Sequence, residues 1–125
     1  NLRKLVSDNN LTDYVEFVGF LPRHELGKMI SESMALLINT SQDLNIVSIP
    51  ESISAGTPVL TTSLTALSSF INTNKLGIAK KTWNENEMID IINDNHTYSK
   101  NCCNIRNQLS AQYAAQKIID ISMNQ

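Results

Sequence analysis

Residues 34–62, MALLINTSQDLNIVSIPESISAGTPVLTT, decide the fold. "MALLIN" is a continuous apolar run, the pattern of a strand buried on both faces of a parallel sheet. "TSQDLN" is a polar loop. "IVSIPESISAG" then reads as a helix: Ser48 can cap it, Pro50 suits its first turn, and Gly56 can end it. "PVLTT" is the next strand. Strand, helix and strand with short connections predict a parallel pair joined by a crossover.

The same alternation continues outward. "LRKLVSDNNL" places Leu2, Leu5 and Val6 at helical spacing before an Asp-Asn-Asn stop. "YVEFVGF" alternates Val15 and Phe17 and predicts a short strand ending at Gly19. "LPRHELGKMISES" predicts a helix with Pro22 near its start and Leu26, Met29 and Ile30 as its stripe. "SLTALSSFI" reads as a short helix and "LGIAKK" as a brief strand. Asn84 caps "ENEMIDIIND", and "YSKNCCNIRNQLS" and "QYAAQKIIDISMN" complete the chain as helices. The predicted class is α/β, a Rossmann-like parallel sheet flanked by helices. In such sheets ligands bind beyond the carboxyl ends of the strands, so the loop after "MALLIN" is a site candidate by position alone.

Bulk properties narrow the function. The 125 residues suit one domain, and 42% hydrophobic residues support a packed core. A net charge of -2 with scattered basic residues argues against nucleic acid as a partner. No apolar run approaches the roughly 20 residues of a membrane span. Cys102 and Cys103 are adjacent, and neighbouring cysteines pair only with strain. A metal site would need two more soft ligands, which His96 alone does not supply. The two are read as free cytosolic thiols. There is no glycine-rich phosphate fingerprint and no nucleophile elbow.

The loop itself is a chemical object. Unpaired N–H groups at a helix start and the helix dipole favour an anion such as a phosphate. Glu51, in the first turn, either complements the dipole or accepts hydrogen bonds from sugar hydroxyls. Asp43 stands on the opposite lip. A nucleotide-sugar carries the matching groups: a diphosphate, a ribose diol and a hexose. His24 reads as a solvated helix-terminal residue, Arg23 as a loop charge or an aid to a phosphate. Trp83 reads as a cover over the sheet edge or the last helices; Phe70 and Tyr113 read as packing residues.

The segment resembles the donor loop of the retaining glycosyltransferases of the GT-B fold, family four, with its E-x7-E pattern. Asp43 stands at the first acid and Glu51 at the second, and "SAGTPVLTT" (54–62) follows at the family's spacing. "LTDYVEFVGFLPRHELGKMISESMALLINTS" resembles the family's upstream pattern, so the likeness spans most of residues 2–80. Leu44 and Asn45 differ from the usual Gly-Phe, and Pro50 and Ser52 flank Glu51 where Leu and Ala are usual. The resemblance implies that Asp43 contacts the transferred sugar and Glu51 holds the ribose hydroxyls. It implies that Asn45, Ile46, Val47 and Ser48 meet the diphosphate and sugar, and that Gly19, Phe20 and Leu21 lie along the nucleobase. It implies a metal-independent enzyme, with no cofactor beyond the donor, a UDP-sugar. The acceptor would be a lipid-linked saccharide or an oligosaccharide in bacterial O-antigen or capsule-type synthesis. The implied location is the cytoplasm, with room for peripheral association at the inner face of the cytoplasmic membrane.

It further implies that residues 1–125 form a partial donor-binding domain, the incomplete C-terminal half of a GT-B fold. The acceptor domain and this domain's first strand and helix would be absent, and the fragment alone would be inactive. Two other classes compete: a non-catalytic Rossmann-like nucleotide-binding or interaction module, and a GT-B nucleotide-sugar epimerase.

Overall fold

The computed structural model of the chain describes residues 1–39, 48–62, 67–106 and 108. Helices α1 (Leu2–Asp8) and α2 (Arg23–Ser31) precede strand β1 (Leu36–Ile38). Helix α3 (Ser48–Ser54) leads to β2 (Val59–Thr62), α4 (Ser68–Thr73) to β3 (Gly77–Lys80), and α5 (Glu85–Asn93) follows. Residues 95–106 are again helical and are called α6. The strands form one parallel sheet in the order β1-β2-β3. The architecture is therefore α/β, a Rossmann-like partial fold.

Strand side chains alternate between the two faces of the sheet. Leu36, Ile38, Val59 and Ala79 share one apolar cluster with Ile49 and Ile53 of α3, Ile71 of α4, Leu76 and Cys102. Leu37 points the other way. With Met88, Ile91 and Ile92 of α5 it lines a shallow apolar depression on the opposite face. Helices thus lie on both sides of the sheet.

Local chemistry explains the boundaries of α3. Ile49, Ser52 and Ile53 are buried at helical spacing, facing the sheet. Pro50 occupies the first turn, where its missing N–H removes no helical bond. At the other end Gly56 adopts φ +87. Its N–H reaches Ile53 O at 3.0 Å and the Thr57 N–H reaches Ser52 O at 2.9 Å. This paired closure needs a left-handed residue, which glycine supplies without a Cβ penalty. The Ser52 hydroxyl donates to Thr57 O at 2.9 Å, locking the exit into β2.

Two edges bound the sheet. Beyond β3, the Asn72 side chain donates to Ala79 O and accepts from Ala79 N, both at 2.9 Å, as a neighbouring strand would. At β1 the burial is incomplete: Leu37 is 45% exposed. The sequence predicts a strand covered on both faces; α5 instead leaves Leu37 partly uncovered, and among the described residues no strand pairs with the outer side of β1.

The predicted strand over "YVEFVGF" is also absent. Val15–Gly19 has no regular structure. Its alternating residues have no neighbouring strand among the described residues, and an isolated extended segment gains no ladder hydrogen bonds. Arg3 covers Phe17, 4.6 Å from the ring centroid, which ties this segment to α1. Ser48, predicted as a cap, is itself helical, within α3 as described over Ser48–Ser54. Asn84 caps α5 as predicted, with a full capping box to Glu87. Phe70 packs against the core as predicted, while Tyr113 and the predicted last helix lie outside the described residues.

Candidate functional site

Helices α2 and α3 each lead into a strand of a parallel sheet, so each runs back against the strand direction. Their amino ends therefore lie at the carboxyl edge of the sheet. Two contacts fix this arrangement. At the amino edge the buried Thr57 hydroxyl donates to Ile30 O, at the end of α2, at 2.7 Å. At the carboxyl edge Arg23 Nη2 donates to Glu51 Oε1 at 2.7 Å. The helices pack together between these two points.

Glu51 thus sits in the first turn of α3 beside the first residue of α2. Its side chain is 35% exposed and that of Arg23 is 86% exposed. A carboxylate has about four lone-pair sites, so one bond to Arg23 leaves capacity for sugar hydroxyls. Arg23 has five N–H donors in a planar fork, suited to a phosphate as well as a carboxylate.

Just upstream the chain turns at Gly19, with φ +65. Phe20 follows, 98% exposed, and then the half-buried Leu21 and Pro22, which opens α2. Segments 19–23 and 48–51 are thus joined by the Arg23–Glu51 pair, across 28 positions of sequence. No protein-family model, curated protein or solved structure matches the chain.

Of the residues singled out in the sequence, Gly19, Phe20, Leu21, Ser48 and Glu51 lie on these two segments. Asp43, Asn45, Ile46 and Val47 lie outside the described residues. His24 is exposed in the first turn of α2, as predicted. The pairing of Arg23 with Glu51 went unread in the sequence. The available signal was an opposite charge in the first turn of each of two consecutive helices of a parallel unit.

Other reactive groups have structural explanations. Cys102 and Cys103 are both free. Burial, and then the neighbouring Cys103, push the Cys102 thiol up to about 12. Its sulfur donates to Leu76 O at 3.5 Å, so it behaves as a core thiol. Glu87 is held at about 2, first by its hydrogen bond from Lys80 and then by the Asn84 backbone N–H. It completes the α5 capping box. Trp83 is half-buried, and its enclosed Nε1 has no partner among the described residues. Among the described residues no helix is long and apolar enough to cross a membrane.

Proposed function

We propose that this chain belongs to a retaining glycosyltransferase, within which it binds the nucleotide-sugar donor. The donor is UDP-linked and the sugar passes to a lipid-linked or oligosaccharide acceptor in bacterial polysaccharide synthesis. The observation that carries the reading is the Arg23–Glu51 contact. It joins the two segments that the resemblance assigns to one ligand, at the edge where α/β sheets bind ligands.

In this reading the Glu51 carboxylate accepts the ribose hydroxyls. The turn at Gly19, Phe20 and Leu21 borders the base, and Ser48 stands at the helix start near the diphosphate. Asp43 completes the set toward the transferred sugar. The bond between the anomeric carbon and the diphosphate oxygen breaks, the acceptor oxygen bonds to the anomeric carbon on the same face of the sugar, and the acceptor's hydroxyl proton passes to the leaving diphosphate. Hydrogen-bond donors held in place before the reaction lower the cost of the charge that develops on the leaving diphosphate.

The test is release of UDP from a panel of UDP-hexoses by the full-length protein, with Asp43→Ala and Glu51→Ala compared with wild type. Loss of activity in both variants with an unchanged circular dichroism spectrum supports the reading. Unchanged turnover in both removes the donor-site assignment. Binding of UDP without any turnover would favour the non-catalytic nucleotide-binding module.

A further inference from the structure

Arg23 is placed in a way that stability does not explain. An exposed ion pair adds little to stability, and the Arg23 side chain is 86% exposed. Its guanidinium is nonetheless fixed on Glu51, with Nη2 2.7 Å from Oε1. Among the described residues this contact engages one edge of a five-donor fork, and the side chain is otherwise largely open to solvent. A planar fork of this kind binds phosphate oxygens bidentately.

Its surroundings fit the same class of ligand. Phe20, three residues upstream, is an aromatic ring 98% exposed. Aromatic rings in such positions stack the faces of nucleobases. Glu51 supplies acceptors for a diol, Phe20 a platform for a base, and Arg23 a cation for phosphate. A nucleoside phosphate presents groups that match all three.

We infer that Arg23 is a phosphate-binding residue that also orients the Glu51 carboxylate, coupling recognition of the ribose to recognition of the diphosphate. The inference rests on the nucleotide-sugar reading above and adds a residue to it. When a nucleoside diphosphate enters, the guanidinium holds the Glu51 carboxylate in place and offers its remaining N–H groups to the phosphate oxygens. Glutamine at position 23 would keep a polar side chain and lose the charge and the fork. Lysine would keep the charge alone.

The experiment titrates the protein with UDP and, separately, with uridine, following amide shifts by NMR. Arg23→Gln, Arg23→Lys and Glu51→Ala are compared with wild type, and an unchanged unfolding midpoint shows that each is folded. Arg23→Gln is expected to weaken UDP on the order of tenfold or more, to weaken uridine by a clearly smaller factor through the lost positioning of Glu51, and Arg23→Lys to recover part of the UDP loss. If Arg23→Gln leaves UDP affinity unchanged while Glu51→Ala weakens UDP and uridine alike, the role of Arg23 is overturned and the nucleotide reading stands. If wild type binds neither probe, both fall together. Equal weakening of UDP and uridine by Arg23→Gln would also overturn the phosphate role, leaving only the positioning of Glu51.

Discussion

Two glycines should respond to the same substitution with opposite signs. Gly77 opens β3 with φ +151, directly against β2. A Cβ there would lie 2.7 Å from both the carbonyl carbon and the nitrogen of Val59, and closer still to its carbonyl oxygen. Ordinary contact begins at 3.4 Å, so the strands must part by at least several tenths of an ångström. That displacement strains the Val59 N–H bond to Leu76 O, now 3.1 Å. Overpacking of this kind costs about 1–3 kcal/mol, and a side chain in this backbone region about 1–3 kcal/mol more. Gly77→Ala should therefore lose about 2–6 kcal/mol of a total that is about 5–15 kcal/mol for a small domain. Gly27 lies inside α2 with nothing within 4 Å of the position its Cβ would take. Gly27→Ala should gain about 0.5–1 kcal/mol from helix propensity. Urea unfolding followed by circular dichroism measures both. With a slope of about 1 kcal/mol per molar, the Gly77→Ala midpoint should fall by about 2 M or more, and that of Gly27→Ala should rise. A Gly77→Ala midpoint equal to wild type would refute the close β2–β3 approach from which the sheet is built.

Three smaller effects follow from named contacts. Thr57→Val removes the hydroxyl donated to Ile30 O. That carbonyl keeps the Ser33 N–H at 3.1 Å, so the loss should stay near ~1 kcal/mol by urea unfolding. Asn84→Ala removes the α5 cap, whose oxygen accepts from Asn86 N at 2.9 Å, and should cost about 1 kcal/mol. Glu87 has a folded-state value near 2 against an ordinary 4.5, so its stabilising effect is complete above pH 4.5 and fades as pH falls toward 2. Glu87→Gln should flatten the stability curve between those limits. Lys80 is raised above 10.5 by its hydrogen bond to the same carboxylate, so its effect is present below 10.5 and fades only as pH rises past its raised value.

What was legible in the sequence is what depends on near neighbours. The helix of Ser48–Ser54 is written in Ile49, Ile53, Pro50 and Gly56, whose roles are complete within one turn or one cap. Asn84 and Glu87 announce α5 three positions apart. The failures depend on distant partners. "YVEFVGF" has the alternation of a strand, but a strand exists only beside another. "MALLIN" has the apolar content of a central strand, but only the order β1-β2-β3 puts it at an edge among the described residues. The site divides in the same way. Of the proposed site, the first-turn position of Glu51 is a local feature of the sequence, whereas Gly19 enters only through the resemblance. Arg23 acquired its partner only when α2 and α3 were laid side by side.

The central claim is that segments 19–23 and 48–51 form one face of a nucleotide-sugar site. Titration of the isotopically labelled protein with UDP-glucose, with amide shifts mapped along the chain, tests it most directly. The account predicts saturable shifts at Gly19, Phe20, Arg23, Ser48 and Glu51, abolished or strongly weakened by Glu51→Ala. Saturable shifts confined to the apolar depression beneath Leu37 and Ile92, or none at all, would contradict it.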